Sequence, residues 1–409
     1  MHHRQFLIGH PLGHSWSPAL HTALGCADYA LKDLLPEELE GWMCSSEWDG
    51  CNVTIPYKQA VMPYCAELSE TARRIGSVNT LVRRADGSIF GDNTDIFGFE
   101  AMAARAGISF SGKKALVLGS GGTSHTVCDA VLRAGGTPVV ISRSGENNYD
   151  NILEKHADAD LILNTTPVGM WPHIAEQPVD LCGFQHLSGV LDVVYNPPRT
   201  RLLLQAEKLG IPCAGGLYML CGQAAKAHEL WTGEAADRET IDKMYADILN
   251  QHRNVVLIGM PGCGKSTIGR LLGEALNLPF LDADAEIVKK IGTDIPSFFQ
   301  AQGEAAFRDV ESEVIKELMT TGGRVIATGG GAILRQENRD LIRGFGRVIR
   351  LARPLADLAT KGRPVTQQKG VEAIAKEREP FYAACADITF ENSCPKEETL
   401  QTLLRLLKN

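Results

Sequence analysis

Short unbroken apolar runs that end in glycine set the pattern of the chain. Ala115-Leu116-Val117-Leu118 runs into Gly119-Ser120-Gly121-Gly122, Val255-Val256-Leu257-Ile258 into Gly259, and Val325-Ile326-Ala327-Thr328 into Gly329-Gly330-Gly331. Runs of this kind predict parallel strands buried on both faces, each feeding a loop. Helix-like spacers at 126–134, 267–276 and 304–320 separate them, and a further strand is expected at Pro138-Val139-Val140-Ile141. Strands alternating with helices predict α/β layers throughout. In the polar segment 233–253, Ile241, Met244, Tyr245 and Ile248 recur at helical spacing. A helix packing on the first half is expected there, followed by a very short connection. No repeat of fixed period or low-complexity tract interrupts the pattern.

Composition narrows the class. With 409 residues, 44% hydrophobic and 22% charged, the chain is long enough for two to four domains of about 100–200 residues each. Disorder as the main state is excluded. No apolar run approaches the ~20 residues of a membrane helix, and no apolar core precedes a small-residue cleavage site near the start, so neither a membrane partner nor a secretory signal is expected. Eleven cysteines, none in a CxxC pair, point to reduced thiols in the cytoplasm. Residues 1–250 hold 19 Lys and Arg against 29 Asp and Glu, residues 251–409 hold 22 against 20, and every histidine lies at or before His252. The change of character near 250 suggests two fused modules. Neither is basic enough to make nucleic acid the expected partner.

Gly259-x-x-x-x-Gly264-Lys265-Ser266 fits the phosphate-binding pattern GxxxxGK[ST], after a strand and before a helix. In such a loop, backbone N–H groups wrap phosphates, Lys265 reaches the β and γ phosphates and the Ser266 hydroxyl faces Mg²⁺. Downstream, Asp282 and Asp284 leave a strand end together. Asp284 is suited to an acceptor hydroxyl and Asp282 to Mg²⁺-bound water, though the pair would serve equally as a helix N-cap. Arg308 in Phe307-Arg308-Asp309-Val310-Glu311 reads as a ligand or as half of a solvated ion pair. Gly329-Gly330-Gly331 reads as a close-approach loop or a flexible turn.

In order, GMPGCGKST, LDAD, FRDVE, TGGGA, GRP and REPFY resemble shikimate kinase across nearly all of 254–409. The resemblance implies a P-loop kinase domain with a parallel sheet, using ATP with Mg²⁺. It assigns Gly262, Cys263, Gly264, Lys265, Ser266, Thr267 and Arg363 to ATP, with Lys265 and Arg363 catalytic. Ser266 would hold Mg²⁺ directly and Asp282 through water. Asp284, Arg308, Gly330 and Arg378 would bind shikimate, the two arginines gripping its carboxylate as planar forks. The lid around Gly362-Arg363-Pro364 is shorter than the family's, with only Lys361 as a second basic group, which bears on turnover.

In the first half, Gly119-Ser120-Gly121-Gly122-Thr123-Ser124 approaches GxGxxG with Ser124 in the third glycine position. This fits a dinucleotide site or an ordinary βα turn. Arg143, after the next strand, suits the 2′-phosphate of NADP where NAD sites carry an acid; it could also be a surface charge. Ahead of these, four segments string hydroxyls and amides along successive loops: His14-Ser15-Trp16-Ser17-Pro18, Asn52 to Lys58, Gly76 to Thr80, and Gly91 to Asp95. Such groups suit a small polyol acid, and Lys58 is the cation among them. Asp92 and Asn93 could instead cap the helix that begins near Ile96.

Together with Asn164 to Met170, Leu191 to Tyr195, and Gly215 to Leu220 with Gln223, these segments resemble shikimate dehydrogenase over about residues 5–250. The resemblance implies a split α/β substrate domain, 1–96 and 216–250, around a Rossmann-type NADP domain, 97–215, with the kinase domain at 254–409. It makes Lys58 and Asp95 the catalytic pair and gives Ser15, Ser17, Thr54, Asn79, Tyr195 and Gln223 to the substrate. Gly119, Ser120, Gly121, Gly122, Thr123, Ser124 and Arg143 would bind NADP(H), with Val193 and Gly216 near the nicotinamide. Lys58 would deliver a proton as hydride reaches 3-dehydroshikimate, and no metal is needed. Two departures stand out: a short stretch between His21 and Asn52, and Glu146 near the expected 2′-phosphate. The two motif sets name one intermediate, so a bifunctional enzyme of the route to aromatic amino acids is expected. The alternatives are a first half acting on quinate with NAD, or a second half that binds nucleotide or shikimate without transferring phosphate.

Overall fold

The computed structural model describes residues 4–13, 15–235, 237–358 and 370–408. The first of three sheets contains β1 (Gln5–Gly9), β2 (Ala30–Asp33), β3 (Gly50–Val53), β4 (Glu67–Leu68), β5 (Thr80–Arg83) and β6 (Ile89–Asp92), in the order β2-β1-β3-β5-β6-β4. β2, β1 and β3 run parallel, but β3, β5 and β6 pair antiparallel. This layer is therefore mixed; the glycine-terminated runs that predict parallel strands all lie in the other two sheets. The cause is local. β5 and β6 are joined by a tight turn with Gly87 at φ +83° and Ser88 N–H on Asp86 Oδ1 at 2.9 Å, and so short a link can join only antiparallel strands.

The second sheet, β7 (Lys114–Leu118), β8 (Thr137–Ile141), β9 (Leu161–Asn164), β10 (Gly189–Asp192) and β11 (Cys213–Gly215), is wholly parallel in the order β11-β10-β9-β7-β8. The third, β12 (Asn254–Ile258), β13 (Phe280–Asp282), β14 (Val325–Ala327), β15 (Gly346–Ala352) and β16 (Ile388–Glu391), is also parallel, ordered β13-β14-β12-β15-β16. Leu116, Val117, Leu118, Val256, Leu257 and Ile258 are fully buried, as strands covered on both faces require. In each parallel sheet the strand order reverses beside the strand that ends in glycine. Loops there diverge and leave a crevice at the carboxyl ends.

Helices follow where the spacing places them, at Gly122–Arg133, Lys265–Leu276 and Ile295–Thr321, the last broken at Gly303 (φ 81°). Helix Arg238–His252 buries Ile241, Met244 and Ile248. The Arg105 guanidinium, on the first-half helix Asp95–Arg105, lies 4.8 Å from the ring centroids of both Tyr218 and Tyr245. Helix Leu217–Thr232 crosses Asp95–Arg105 at a glycine pair: a Cβ on Gly222 would sit 2.9 Å from Gly98 Cα, and one on Gly98 would overlap the Met219 carbonyl. This crossing sets how closely Asp95 and Gln223 are carried. The chain divides into two compact units, Met1–Asn196 with Leu202–Ile248, and Pro197–Arg201 with Leu249–Asn409.

Candidate active sites

In the first unit, Lys58 follows β3 and Asp95 opens the helix after β6. Lys58 Nζ and Asp95 Oδ2 are 2.6 Å apart, with both side chains half-buried. The turn carrying Asp95 is held by Asn79, whose Oδ1 accepts Thr94 N–H at 2.7 Å and the Thr80 hydroxyl at 3.0 Å. Asn93 Oδ1 accepts Asp95 N–H at 3.2 Å, but the N-cap is Thr94 and no side chain caps the helix. Asp92 instead accepts the Ser69 hydroxyl and Asn93 N–H. Ser15 and Ser17 face each other at 3.1 Å, and Trp16 between them packs edge-on to Tyr195 at 5.1 Å. Burial pushes the Tyr195 phenol above its ordinary pKa. Thr54 lies half-buried past β3, its N–H on the Ile8 carbonyl. Gln223 is buried, with Nε2 on the Leu220 carbonyl at 3.0 Å.

Gly216 N–H donates to the Val194 carbonyl, and a Cβ there would overlap the Val193 oxygen, so only glycine lets these two loops meet. Sequence reading missed the support beneath them. Asn164 Nδ2 donates to Asp192 Oδ1 at 2.9 Å, Val194 N–H donates to the same oxygen at 3.0 Å, and both side chains are fully buried. Their positions at neighbouring strand ends were the available signal.

At the crevice of the second sheet, Gly119 holds φ +106°, with Thr166 where a side chain would go. Ser120, Gly121 and Gly122 are exposed at the start of helix Gly122–Arg133, and Thr123 is half-buried. Exposed N–H groups at a helix N-terminus favour an anion. Buried Ser124 turns its hydroxyl onto the Gly121 carbonyl at 2.6 Å, which satisfies it without the third glycine. Arg143 is exposed and makes no ion pair or hydrogen bond among the described residues. Glu146 does not stand alone: Lys155 Nζ donates to its backbone carbonyl at 3.1 Å, bringing a second positive charge to this loop.

In the second unit, a cavity of ≈ 400 Å³ opens at the carboxyl ends of β12 and β14. One wall is Gly262, Gly264, Lys265, Ser266 and Thr267; the other includes Asp284, Arg308, Glu311, Gly330 and Arg378. Cys263 is buried off the cavity. Lys265 Nζ donates to the Gly259 carbonyl at 2.9 Å. The Ser266 hydroxyl donates to Asp282 Oδ2 at 2.5 Å, while Asp282 Oδ1 accepts Asp284 N–H at 3.1 Å. Asp282 is thus both helix cap and partner of the P-loop serine.

Arg308 is no solvated pair. Its Nη1 donates to Glu311 at 2.7 Å and its Nη2 to Glu304 at 3.1 Å, and Glu311 is 1% exposed. Burial raises the Glu311 carboxyl's pKa, against the pull of Arg308. Glu311 was not foreseen as a site residue. Arg378 is buried, and its Nε has no hydrogen-bond partner among the described residues. The Tyr382 hydroxyl holds the Gly330 carbonyl at 2.6 Å. Each glycine of the triplet meets a different neighbour. A Cβ would reach Asp284 Oδ1 at 2.7 Å from Gly329 and Pro261 at 2.7 Å from Gly330, and would overlap the Arg308 guanidinium from Gly331. Neighbouring side chains of the same unit occupy the space a Cβ would need at each position of the triplet. Arg363, with Lys361, Gly362 and Pro364, and His14 lie outside the described residues.

The first unit has the fold of a dinucleotide-binding enzyme and carries the Lys58–Asp95 ion pair, and the second has the fold of a P-loop nucleotide enzyme. Family models match as follows: "Shikimate dehydrogenase substrate binding domain" at 7–81, "Shikimate 5'-dehydrogenase C-terminal domain" at 216–243, and "Shikimate kinase" at 261–408. A shikimate dehydrogenase (NADP(+)) of Methanopyrus kandleri is 39% identical over 267 residues, covering 58% of this chain and 92% of the relative. A chorismate mutase/shikimate 5-dehydrogenase fusion from Clostridium acetobutylicum superposes with TM-score 0.56 at 32% identity, over 60% of this chain and 97% of that one. The Thermus thermophilus shikimate 5-dehydrogenase in complex with NADP(H) and shikimate gives 0.54 at 33%, over 60% and 99%. The chain belongs to the shikimate dehydrogenase family and carries a shikimate kinase domain after it.

Proposed function

We propose that the chain reduces 3-dehydroshikimate to shikimate with NADPH and phosphorylates shikimate to shikimate 3-phosphate with MgATP. The observation that carries this reading is the second unit's cavity, where two buried arginines and Asp284 stand opposite Lys265 and Ser266. That arrangement suits a hydroxylated carboxylic acid, the kind of product a Lys58–Asp95 pair would release. The proposed domains are 1–96 with 216–250 for substrate, 97–215 for NADP and 254–409 for phosphoryl transfer.

In the reductase, bound NADPH supplies hydride. Lys58, placed by Asp95, gives its proton to the oxygen that gains negative charge. Ser15, Ser17, Thr54, Asn79, Tyr195 and Gln223 orient the ring acid. Gly119 to Ser124 accept the pyrophosphate. Unpaired Arg143, with the Lys155 ammonium reaching the same loop from helix Ile152–His156, favours the 2′-phosphate of NADP over NAD.

In the kinase, MgATP supplies the phosphoryl group. Ser266 and Asp282 offer the hard oxygens that Mg²⁺ prefers, the serine directly and the carboxylate through water. Asp284 takes the acceptor hydroxyl, Arg308 and Arg378 the carboxylate, and Lys265 stabilises charge on the phosphates. Arg363 is proposed as the lid residue. The eleven free cysteines support a cytoplasmic setting, and among the described residues no helix is long and apolar enough to cross a membrane. One assay tests the whole reading: 3-dehydroshikimate, NADPH and MgATP supplied together, with NADPH loss and ADP release followed separately. ATP and shikimate binding without ADP release would reduce the second unit to a binding module.

A further inference from the structure

A phosphate-binding loop works only if its peptides turn N–H groups inward, so something must hold the carbonyls outward. At Cys263 that group is the side chain of Asn392, which is 129 residues away in sequence and donates from Nδ2 to the Cys263 carbonyl at 2.7 Å. Asn392 directly follows edge strand β16, and its own N–H is fixed on the Ala352 carbonyl at 2.7 Å. Its amide cannot flip without loss, because the Thr399 hydroxyl donates to Oδ1 at 3.1 Å. Both side chains are buried, Asn392 at 8% exposure and Thr399 at 0%.

A trans peptide points its C=O and the next N–H in opposite directions. Securing the Cys263 carbonyl on Asn392 therefore turns the Gly264 N–H to the other side, toward the cavity that Gly264 lines. Gly264 sits at φ +100°, and a Cβ there would come within 2.6 Å of Asn392 Nδ2. The contact and the glycine thus require each other.

We infer that Asn392, locked by Thr399, is a positioning residue for anion recognition: it sets the Cys263–Gly264 peptide so that the Gly264 N–H meets the nucleotide's phosphate chain. This rests on the P-loop reading above and adds to it a residue outside the loop motif. The effect should fall on phosphates alone.

In the full-length chain, Asn392→Leu removes the donor while keeping bulk. It should raise the KM for MgATP and the Kd for ADP about 10- to 100-fold, the loss of one hydrogen bond to a charged group. The KM for shikimate should stay within about twofold, well under that loss. Inorganic tripolyphosphate, which has no base or sugar, should weaken in parallel with ATP. Thr399→Val, which frees the amide to turn, should give a smaller loss of the same kind and serves if the leucine variant fails to fold. Native affinity for ATP and tripolyphosphate in both variants overturns the inference, as does an equal loss of shikimate affinity, which marks a merely structural role. A native chain that binds neither ATP nor tripolyphosphate rejects the P-loop reading itself, and the inference with it.

Discussion

Removing the Lys58 ammonium leaves Asp95 as a half-buried carboxylate with no cation against it among the described residues. Lys58→Ala should therefore lower kcat for NADPH-dependent reduction by about 10²–10⁴-fold, the usual worth of a positioned proton donor, measured as NADPH loss at saturating substrate. Arg308 answers a different question. Its fork is divided between Glu311 and Glu304, and lysine can reproduce neither the fork nor bidentate pairing with a carboxylate. Arg308→Lys should raise the KM for shikimate about tenfold or more while changing kcat less, the signature of a lost charge-assisted hydrogen bond in binding. Lys58, Asp284, Arg308 and Arg378 could be singled out as candidates because each stands inside a short motif, and the fold brings the last three to one cavity. Glu311, Asn392 and the Asn164–Asp192 pair could not, since a buried carboxylate or amide looks like any surface one until its distant neighbour is known. Asp282 was legible as a helix cap, a contact its Oδ1 makes, while its Oδ2 takes the Ser266 hydroxyl; holding Mg²⁺ through water is the role proposed for it.

Among elements, the parallel strands were the easiest to read, because a strand covered on both faces leaves an unbroken apolar run. The antiparallel part of the first sheet was not, since its direction depends on the four-residue turn at Arg84 to Gly87 rather than on any periodicity. The glycine crossing of helices Asp95–Arg105 and Leu217–Thr232 was equally hidden, because Gly98 and Gly222 matter only where the two helices meet. The short helix Ser17–Ala23 buries His21, stacked on Tyr29 with ring centroids 4.1 Å apart, and burial lowers its pKa from 6.5 to about 3. The unfolded imidazole takes up a proton near 6.5, the folded one only near 3. The unfolded state thus binds more protons across that window, and stability falls as pH is lowered through it, by about 1.4 kcal/mol per pH unit. His21→Phe should flatten this slope. Urea midpoints at pH 7 and pH 5 will show it by tryptophan fluorescence, since all five tryptophans lie at or before Trp231.

For the whole molecule, each compact unit holds a complete set of the groups proposed for its own reaction. Lys265→Ala should abolish ADP release while leaving NADPH consumption intact, and Lys58→Ala should do the reverse when shikimate is supplied directly. Loss of both signals in either variant would show that the sites depend on one another.

Carrying both centres on one polypeptide also fixes their stoichiometry. Every translated chain adds one reductase and one kinase, so synthesis or degradation changes both capacities by the same factor. At a given concentration of 3-dehydroshikimate, the steady-state concentration of shikimate between the two steps is then governed by the two sets of rate constants and by the supply of NADPH and ATP, and gene dosage cancels out.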